Sequence, residues 1–241
     1  ELLCGVGSPS GKLSDTFAKK LEDYPSSETF HESVKYVDYK EDIYVGYRYF
    51  ETIPGADKAV NYPFGYGLSY TTFERALVSA EEKQGVIRVR VNVTNTGKYP
   101  GKEVMQLYAQ APQGVLGKAK RVLAAFEKTR LLAQGETQLL TLEAPVAQLA
   151  SYDDLGKIQK SAYVLEKGKY QFYLGTSVRE TEQVFCFTMP EDTVTEQLTA
   201  KLVPTSLAER MLSDGSFEKL PQSEPNDPDY SAIKRVPREE S

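Results

Sequence analysis

The sequence has little of what metal centres and nucleophilic triads require. It contains one histidine, His31, and two cysteines, Cys4 and Cys186, which stand far apart and show no metal-ligand spacing. One histidine is too few for a histidine-based metal site or a catalytic triad on this chain. We therefore expect no metal site and no cofactor. We also expect reduced, structural cysteines, with a single disulfide as the alternative.

Long apolar runs and a basic excess are also absent. The run Val122–Phe126 is among the longest apolar stretches, whereas a membrane-spanning helix needs ~18 or more apolar residues. The net charge is −5, and the lysines and arginines are scattered along the chain. This distribution gives no electrostatic footprint for nucleic acid. We therefore expect neither a membrane nor a nucleic-acid partner. The cellular location stays open, with the cytoplasm slightly favoured.

The stretch from residue 41 to residue 74 is instead rich in tyrosine and glycine. Its tyrosines are Tyr44, Tyr47, Tyr49, Tyr62, Tyr66 and Tyr70, and its glycines are Gly46, Gly55, Gly65 and Gly67. This composition is typical neither of an amphipathic helix nor of a flexible linker, because rings pack while glycines let the backbone turn tightly. We interpret it as a buried interdomain crossing of irregular backbone, with a direct role in ligand binding as the alternative.

Residues 71–189 alternate apolar and polar side chains in several short segments separated by turn residues. This period-two pattern predicts an antiparallel β-sandwich. The expected core residues are Val89, Val91, Val93, Met105, Leu107 and Ala109. In a later strand, Tyr170, Phe172 and Leu174 share one face. Residues 190–241 differ, since the apolar spacing from Val194 to Leu212 predicts one or two short helices, and the proline-rich stretch after Gly215 predicts a linker or disordered end.

Three short patterns support local expectations. Asn92-Val93-Thr94 fits a glycosylation sequon, but its position within a strand favours a structural role. In the turn that follows, Gly97 is expected to supply a positive φ. The pair Asp153-Asp154 and the basic run from Lys118 to Arg121 are both interpreted as solvated surface.

Four motifs, in this order, resemble a known family. They are Gly7–Phe17 (GSPSGKLSDTF), DIYVGYRYF with NYPFGYGLSYTTFE within residues 42–74, Asn92–Pro112 (NVTNTGKYPGKEVMQLYAQAP) and Glu166–Ser177 (EKGKYQFYLGTS). Together they span Gly5 to Thr188 and resemble the family 3 glycoside hydrolases, the β-glucosidase-like enzymes. In that family the second motif leaves an α/β sandwich domain and enters a fibronectin type III-like domain.

The resemblance implies a mainly β fold class. We expect an immunoglobulin/fibronectin type III-like antiparallel β-sandwich, preceded by part of an α/β sandwich domain and followed by a short helical and linker tail. The implied boundaries are 1–57 for the incomplete end of the α/β domain, 58–74 for the crossing, 75–189 for the fibronectin type III-like domain and 190–241 for the helical connector and flexible linker. Such a connector is typical of family members with rearranged domain order, in which the catalytic barrel comes last. The expected partners are therefore the α/β and barrel domains of the same protein.

The resemblance also implies where the chemistry lies. Enzymes of this family are retaining glycosidases, in which two carboxyl groups ~5–5.5 Å apart act as nucleophile and as acid/base. The family's nucleophile is an aspartate in an SDW-like barrel motif, which this sequence lacks. Its acid/base is typically a glutamate upstream of the PSGKL segment.

We therefore expect no catalytic residue in this chain, which would make it an accessory part of a glycosidase whose complete form acts on carbohydrate. Whether the chain alone is an enzyme stays uncertain. Four carboxylates lie beside the motifs and are interpreted as solvated loop charges: Asp15, Glu41, Asp42 and Glu51.

The predicted interdomain contact residues are Tyr47, Arg48, Tyr49, Phe64 and Tyr66. Substrate-binding residues stay unknown. The alternative hypothesis is a stand-alone carbohydrate- or protein-binding sandwich, because sandwiches host many functions. A carbohydrate-binding sandwich usually presents a planar row of exposed aromatic rings. The candidates for such a row are Tyr99, Tyr108 and Tyr173.

Overall fold

The chain folds mainly as antiparallel β-strands. The structure, a computed structural model, describes residues 2–201, 203–204 and 206–221. The strands are β1 (Phe17–Ala18), β2 (Val60–Tyr62), β3 (Phe73–Lys83), β4 (Val86–Asn95), β5 (Val104–Gln110), β6 (Val122–Lys128), β7 (Thr137–Pro145), β8 (Ser151–Asp153), β9 (Ala162–Leu165), β10 (Gly168–Gly175), β11 (Thr181–Met189), β12 (Thr193–Gln197), β13 (Glu209–Met211) and β14 (Phe217–Lys219). The helical segments of these ranges are α1 (Tyr47–Phe50) and 3₁₀ turns at Leu21–Asp23, Ala56–Ala59 and Val146–Leu149.

Two sheets form the predicted β-sandwich. One has the strand order β3-β4-β7, and the other has the order β11-β10-β5-β6. A third sheet, β12-β9-β8, and two small pairs, β1-β2 and β13-β14, lie outside these two sheets. Every pairing is antiparallel. The mainly β, fibronectin type III-like fold class is thus confirmed.

The core lies between the two sheets, where the alternation predicted it. Its fully or almost fully buried members are Ile87, Val89, Val91, Val93, Met105, Leu107, Ala109, Leu140, Leu142, Ala144, Tyr170, Phe172 and Leu174. Each large side chain buried in this way contributes about 1.5–3 kcal/mol relative to exposure. The period-two pattern therefore identified the inward face of β4 and β5 correctly, and it grouped Tyr170, Phe172 and Leu174 of β10 on one face, which is the buried one.

The outer face of β5 is also buried. Gln106 and Tyr108 alternate with the core residues of this strand, yet they are only 3% and 0% exposed. The cover is the junction segment, residues 41–74, which places the rings of Tyr47 and Phe64 against Tyr108. Because β5 is buried on both faces, it ties the sandwich to the segment that precedes it.

Asn95 holds the turn that follows β4. Its amide nitrogen donates to the carbonyl oxygens of Tyr99 and Leu132, at 2.8 Å each. Its Oδ1 accepts from the hydroxyl of Thr71 at 2.7 Å and from the N–H of Gly97 at 3.0 Å. This fully buried side chain therefore has a partner for each of its polar atoms, as a buried amide requires.

The prediction of a positive φ at Gly97 is wrong, since Gly97 is not among the residues with φ above zero. Glycine is needed there because of a close approach: a Cβ would lie 2.1 Å from Thr71 Oγ1. Positive φ is instead used in the two-residue hairpin between β3 and β4, at Gln84 (55°) and Gly85 (75°). Two successive residues of this kind make the turn whose twist matches that of the flanking strands.

The tail forms strands where short helices were predicted. No helix occurs in the described part of the tail, residues 190–201, 203–204 and 206–221, whereas β12, β13 and β14 do. β12 pairs with β9, whose backbone edge supplies its hydrogen-bonding partners. The threonine and valine side chains of β12 also favour a strand. The linker predicted after Gly215 begins with β14, and residues 222–241 lie outside the described residues.

Asp153 is not the surface residue that was predicted. It is 1% exposed, and its two carboxylate oxygens accept hydrogen bonds of 2.6–3.0 Å from the backbone N–H groups of residues 156–159. Burial by itself would raise the pKa of this carboxyl group, but the four N–H donors hold the pKa below its ordinary value. The carboxylate thus stabilises the loop between β8 and β9 in its ionised form.

We expect Asp153→Asn to lower the free energy of unfolding by about 1–3 kcal/mol at neutral pH, because an amide nitrogen cannot accept the hydrogen bonds it would face. The folded-state pKa is depressed, so the carboxylate's contribution is present above its unfolded pKa and is lost as pH falls through the folded value. The gap between wild type and variant should therefore shrink below about pH 4. Urea unfolding at several pH values measures this difference in the free energy of unfolding. Asp57→Asn, an exposed control, should change little, and a gap that does not depend on pH would contradict the assignment.

Candidate functional site

An aromatic cluster joins the junction segment to the sandwich. The ring centroids of Tyr47 and Phe64 lie 4.4 Å apart, and both rings meet Tyr108 edge-on at 6.3 and 6.5 Å. Such edge-to-face contacts stabilise a packed interface beyond the area that they bury. Burial raises the pKa of the Tyr108 hydroxyl well above its ordinary value, so this group stays protonated and acts as a donor.

Gln106 supplies the polar part of the same contact. Its Nε2 donates to the carbonyl oxygen of Thr176 at 2.7 Å and to that of Gly65 at 3.3 Å, while its Oε1 accepts from the hydroxyl of Tyr108. Gly65 fits here for two reasons: its φ is 79°, and a Cβ would lie 2.3 Å from Gln106 Oε1. The close packing of backbone on Gln106 therefore requires glycine at this point of the junction segment.

Further polar contacts fix the two parts in register. The backbone N–H of Leu123 donates to the hydroxyl of Tyr47 at 2.9 Å, and that of Lys120 donates to Thr52 Oγ1 at 2.8 Å. Arg179 forms a 2.7 Å ion pair with the largely buried carboxylate of Glu51. The Tyr47 contact is to β6, on one side of β5, and the Glu51 contact is to the loop after β10, on the other side. The junction segment is thus fixed on both sides of β5 and cannot rotate on the sheet.

The five predicted interdomain residues occupy different places. Tyr47 and Phe64 contact the sandwich directly, as described above. Tyr49 packs on Phe50 with ring centroids 5.2 Å apart, and Tyr66 packs on Tyr62 at the same distance. Arg48 is exposed, and its side chain has no hydrogen bond or ion pair with another described residue. That these residues mediate contact between domains stays a proposal.

The four carboxylates considered from the sequence do not share one environment. Glu51 is paired with Arg179, and Asp15 accepts the N–H of Thr16 at 2.7 Å. Glu41 is 4% exposed, so its interpretation as a solvated charge is wrong. Desolvation raises the pKa of Asp42, with the guanidinium of Arg210 opposing this shift from 3.7 Å.

The candidate row of exposed rings on the sandwich is also absent. Tyr108 is fully buried, Tyr173 lies beneath the guanidinium of Arg121 at 4.2 Å, and Tyr99 is 60% exposed beyond the end of β4. The stacked guanidinium covers the face of Tyr173 that a ligand would use. These three tyrosines therefore offer no common platform to a saccharide.

Beside the aromatic cluster lies a cavity of about 740 Å³, which we call the junction cavity. Its walls come from Asp42, Ile43 and Arg48 of the junction segment, from residues 116–119, from residues 148–152 with Asp154, and from Pro204 and Arg210 in the tail. Lys118, predicted to be solvated, is only 5% exposed in this wall. Burial lowers the pKa of its ammonium group, and Glu166 at 3.4 Å opposes this shift while Ser151 accepts a hydrogen bond from it.

Arg210 closes one side of the cavity and fastens the tail. Both carboxylate oxygens of Asp154 accept from its Nη1 at 3.0 Å, and Glu218 accepts from its Nε at 3.1 Å. The sequence pattern missed Gln106, Lys118 and Arg210 as site residues. Only Gln106 carried a signal, as a polar residue within the apolar run of β5.

Three general findings limit the chemistry of the described residues. Within them, no cluster of three or more histidine, cysteine, aspartate or glutamate side chains could hold a metal ion. None of their helices has the length and apolar character needed to cross a membrane. Cys4 and Cys186, both within the described ranges, are exposed and not joined by a disulfide.

We expect Tyr47→Phe to lower the free energy of unfolding by about 0.5–1.5 kcal/mol, because the N–H of Leu123 loses its acceptor while the ring contacts stay. Tyr49→Phe is the matched control, since its hydroxyl has no hydrogen bond among the described residues. Denaturant unfolding of both variants measures the difference. Equal stabilities for the two variants would show that the Tyr47 hydroxyl does not fix the junction segment.

The comparisons with known proteins agree with this architecture. Residues 103–178 match the family described as a fibronectin type III-like domain. Beta-glucosidase A of Butyrivibrio fibrisolvens is 57% identical over 242 residues, covering 94% of this chain and 29% of that protein. A β-glucosidase of Ruminococcus albus is 46% identical over 227 residues, covering 92% of this chain and 23% of that protein.

Solved structures give the same result. A β-glucosidase from Paenibacillus barengoltzii superposes with a TM-score of 0.86 at 46% identity, covering 92% of this chain and 26% of that one. β-Glucosidase 3B from Thermotoga neapolitana, solved with α-D-glucose, superposes with a TM-score of 0.69 at 40% identity, covering 78% and 26%. The chain thus spans about a quarter of the length of these relatives. By sequence and by fold, it contains a fibronectin type III-like domain and is homologous to one section of the family 3 β-glucosidases, as its motifs predicted.

Proposed function

We propose that the chain is the non-catalytic accessory section of a glycosidase that hydrolyses β-glucosidic or related O-glycosyl bonds with retention. Its role is to brace the catalytic domains, which hold the carbohydrate substrate. The observation that carries this proposal is the docking of the junction segment on β5. A brace must transmit the position of one domain to another, and the contacts of Tyr108 and Gln106 make this joint rigid.

The surface of the first 45 residues supports a partner within the same protein. Its exposed large apolar side chains are Leu2, Leu3, Val6, Phe17, Leu21, Phe30, Val34, Tyr39, Ile43 and Val45. A soluble monomer rarely exposes so many apolar side chains in one stretch unless another surface covers them. We propose that residues 1–57 belong to an α/β domain and that residues 58–74 form the crossing. The remaining α/β and barrel domains are the proposed cover.

Hydrolysis of an aryl β-glucoside tests the proposal. The 241-residue chain should show no turnover, whereas the same chain within its longer protein should hydrolyse the substrate with retention of anomeric configuration. Product stereochemistry is followed by NMR. Turnover by the 241-residue chain would overturn the accessory role and return attention to Asp15, Glu41, Asp42 and Glu51. A longer protein inactive on a panel of aryl glycosides would overturn the glycosidase assignment.

Hydroxyl-radical footprinting tests the proposed cover. Phe30 and Tyr39 are 60% and 67% exposed in this chain, so both should be oxidised readily here and protected in the longer protein. Phe126 and Tyr99, at 65% and 60%, are matched controls on the sandwich and should react equally in both. Equal oxidation of all four residues in the two proteins would mean that the apolar surface is not covered by the added domains.

A further inference from the structure

The junction cavity has the size and lining of a small-molecule site. Its volume of about 740 Å³ falls within the ~300–1,000 Å³ of typical ligand pockets. Such pockets are mainly apolar, with a few polar groups that orient the ligand. Here Ile43 of the junction segment and Pro204 of the tail are apolar, and the rest of the apolar part comes from the sandwich: Ala109, Ala111, Leu116, Ala119, Val122, Leu149 and Ala150.

Two tyrosines form an angled aromatic surface at this cavity, which we call the tyrosine platform. Tyr152 on β8 and Tyr163 on β9 are directly paired across the strands, with ring centroids 5.4 Å apart and ring planes inclined at 53° to each other. They remain 40% and 38% exposed, although both line the cavity. Neither ring is covered by a described guanidinium, in contrast to Tyr173. The platform is therefore available to the apolar face of a ligand ring.

The polar groups of the wall include both cations and carboxylates, and both donors and acceptors of hydrogen bonds. The cations Arg48, Lys118 and Arg210 are matched by Asp42 and Asp154 in the wall and by Glu166 behind Lys118. Gln148 adds an amide, which both donates and accepts. An anionic ligand would meet the carboxylates of Asp42 and Asp154, and a cationic ligand would meet the guanidinium groups. A neutral ligand with many hydroxyl groups can use both kinds of partner, because each hydroxyl donates one hydrogen bond and accepts others.

Arg48 is the group with unused capacity. It lines the cavity, and no described residue pairs with it. Its guanidinium carries five N–H donors in a planar fork, suited to two neighbouring oxygens of one ligand. Vicinal hydroxyl groups on a ring present such a pair of oxygens. The same ligand would stack its ring on the tyrosine platform.

We propose that the junction cavity binds a neutral saccharide, which packs between the tilted rings of Tyr152 and Tyr163 and donates and accepts hydrogen bonds with Arg48, Asp42, Asp154 and Gln148. This inference does not depend on the proposed accessory role in hydrolysis. It concerns binding by residues of this chain, so it can fail while the hydrolysis test succeeds, and the reverse also holds.

Titration of the ¹⁵N-labelled 241-residue chain with cellobiose, a neutral disaccharide, tests the proposal. We expect saturable shift changes at the amides of residues 117–119 and 151–152, in the cavity wall, and none at the turn of residues 133–136, which lies at the opposite end of β7 from the cavity residues 148 and 149. This map uses the unmodified protein, so it does not depend on how any variant folds. No saturable change, or changes scattered over the surface, would overturn the proposal.

Variants then test whether the two tyrosines of the platform contribute to ligand binding. Tyr152→Ala and Tyr163→Ala should each weaken cellobiose binding about tenfold, corresponding to about 1.4 kcal/mol. Tyr99→Ala, which removes an exposed tyrosine ring outside the cavity, should leave the affinity unchanged. Thermal unfolding confirms that each variant is folded. Equal affinities for all three variants would overturn the stacking role.

Glucose and glucuronate distinguish the ligand class, since they differ by one carboxylate. The proposal requires glucose to bind at least as tightly as glucuronate at neutral pH, because Asp42 and Asp154 repel the added charge. Tighter binding of glucuronate, lost in Arg48→Ala, would show an anion site and would overturn the assignment to neutral saccharides.

Discussion

The burial of β5 on both faces is the constraint on which the rest of the structure depends. One face supplies Met105 and Leu107 to the core, and the other supplies Gln106 and Tyr108 to the junction segment. A strand in this position cannot lose either cover without exposing large side chains or leaving a buried amide unpaired. The sandwich and the segment that enters it therefore behave as one packed unit.

The junction cavity follows from the same arrangement. The junction segment packs closely over β5 through its aromatic cluster, but beyond that cluster the chain elements separate. Two ion pairs keep the cavity open. Lys118 pairs with Glu166 in the wall formed by the sandwich, and Arg210 pairs with Asp154 in the wall formed with the tail. Ion pairs in a wall cannot collapse inward as apolar side chains would, because their charges need partners in fixed geometry. A defined cavity is the result.

Much of the sandwich could be predicted from sequence, and the reason is physical. A period of two specifies which side chains share a face, so the core positions of β4 and β5 and the shared face of β10 were correct. The same pattern says nothing about what covers the second face, so it makes Tyr108 a candidate for an exposed ring although this residue is fully buried. Asp153 was missed because its four N–H partners come from a loop with no residue-type signal. In the tail, the apolar spacing predicts a helix, but pairing with the edge of β9 makes residues 193–197 a strand. Such a pairing partner is distant in sequence, so only the tertiary structure reveals it.

The shared burial of β5 also defines what can be exchanged between proteins as a unit. A cut at residue 75 would separate a sandwich that looks complete by strand count but carries an uncovered Tyr108 and an unsatisfied Gln106. Recombination that preserves folding must therefore carry residues 41–74 together with the strands. Domain order can change around such a cassette, in evolution or by design, provided that the breakpoints fall outside the junction segment.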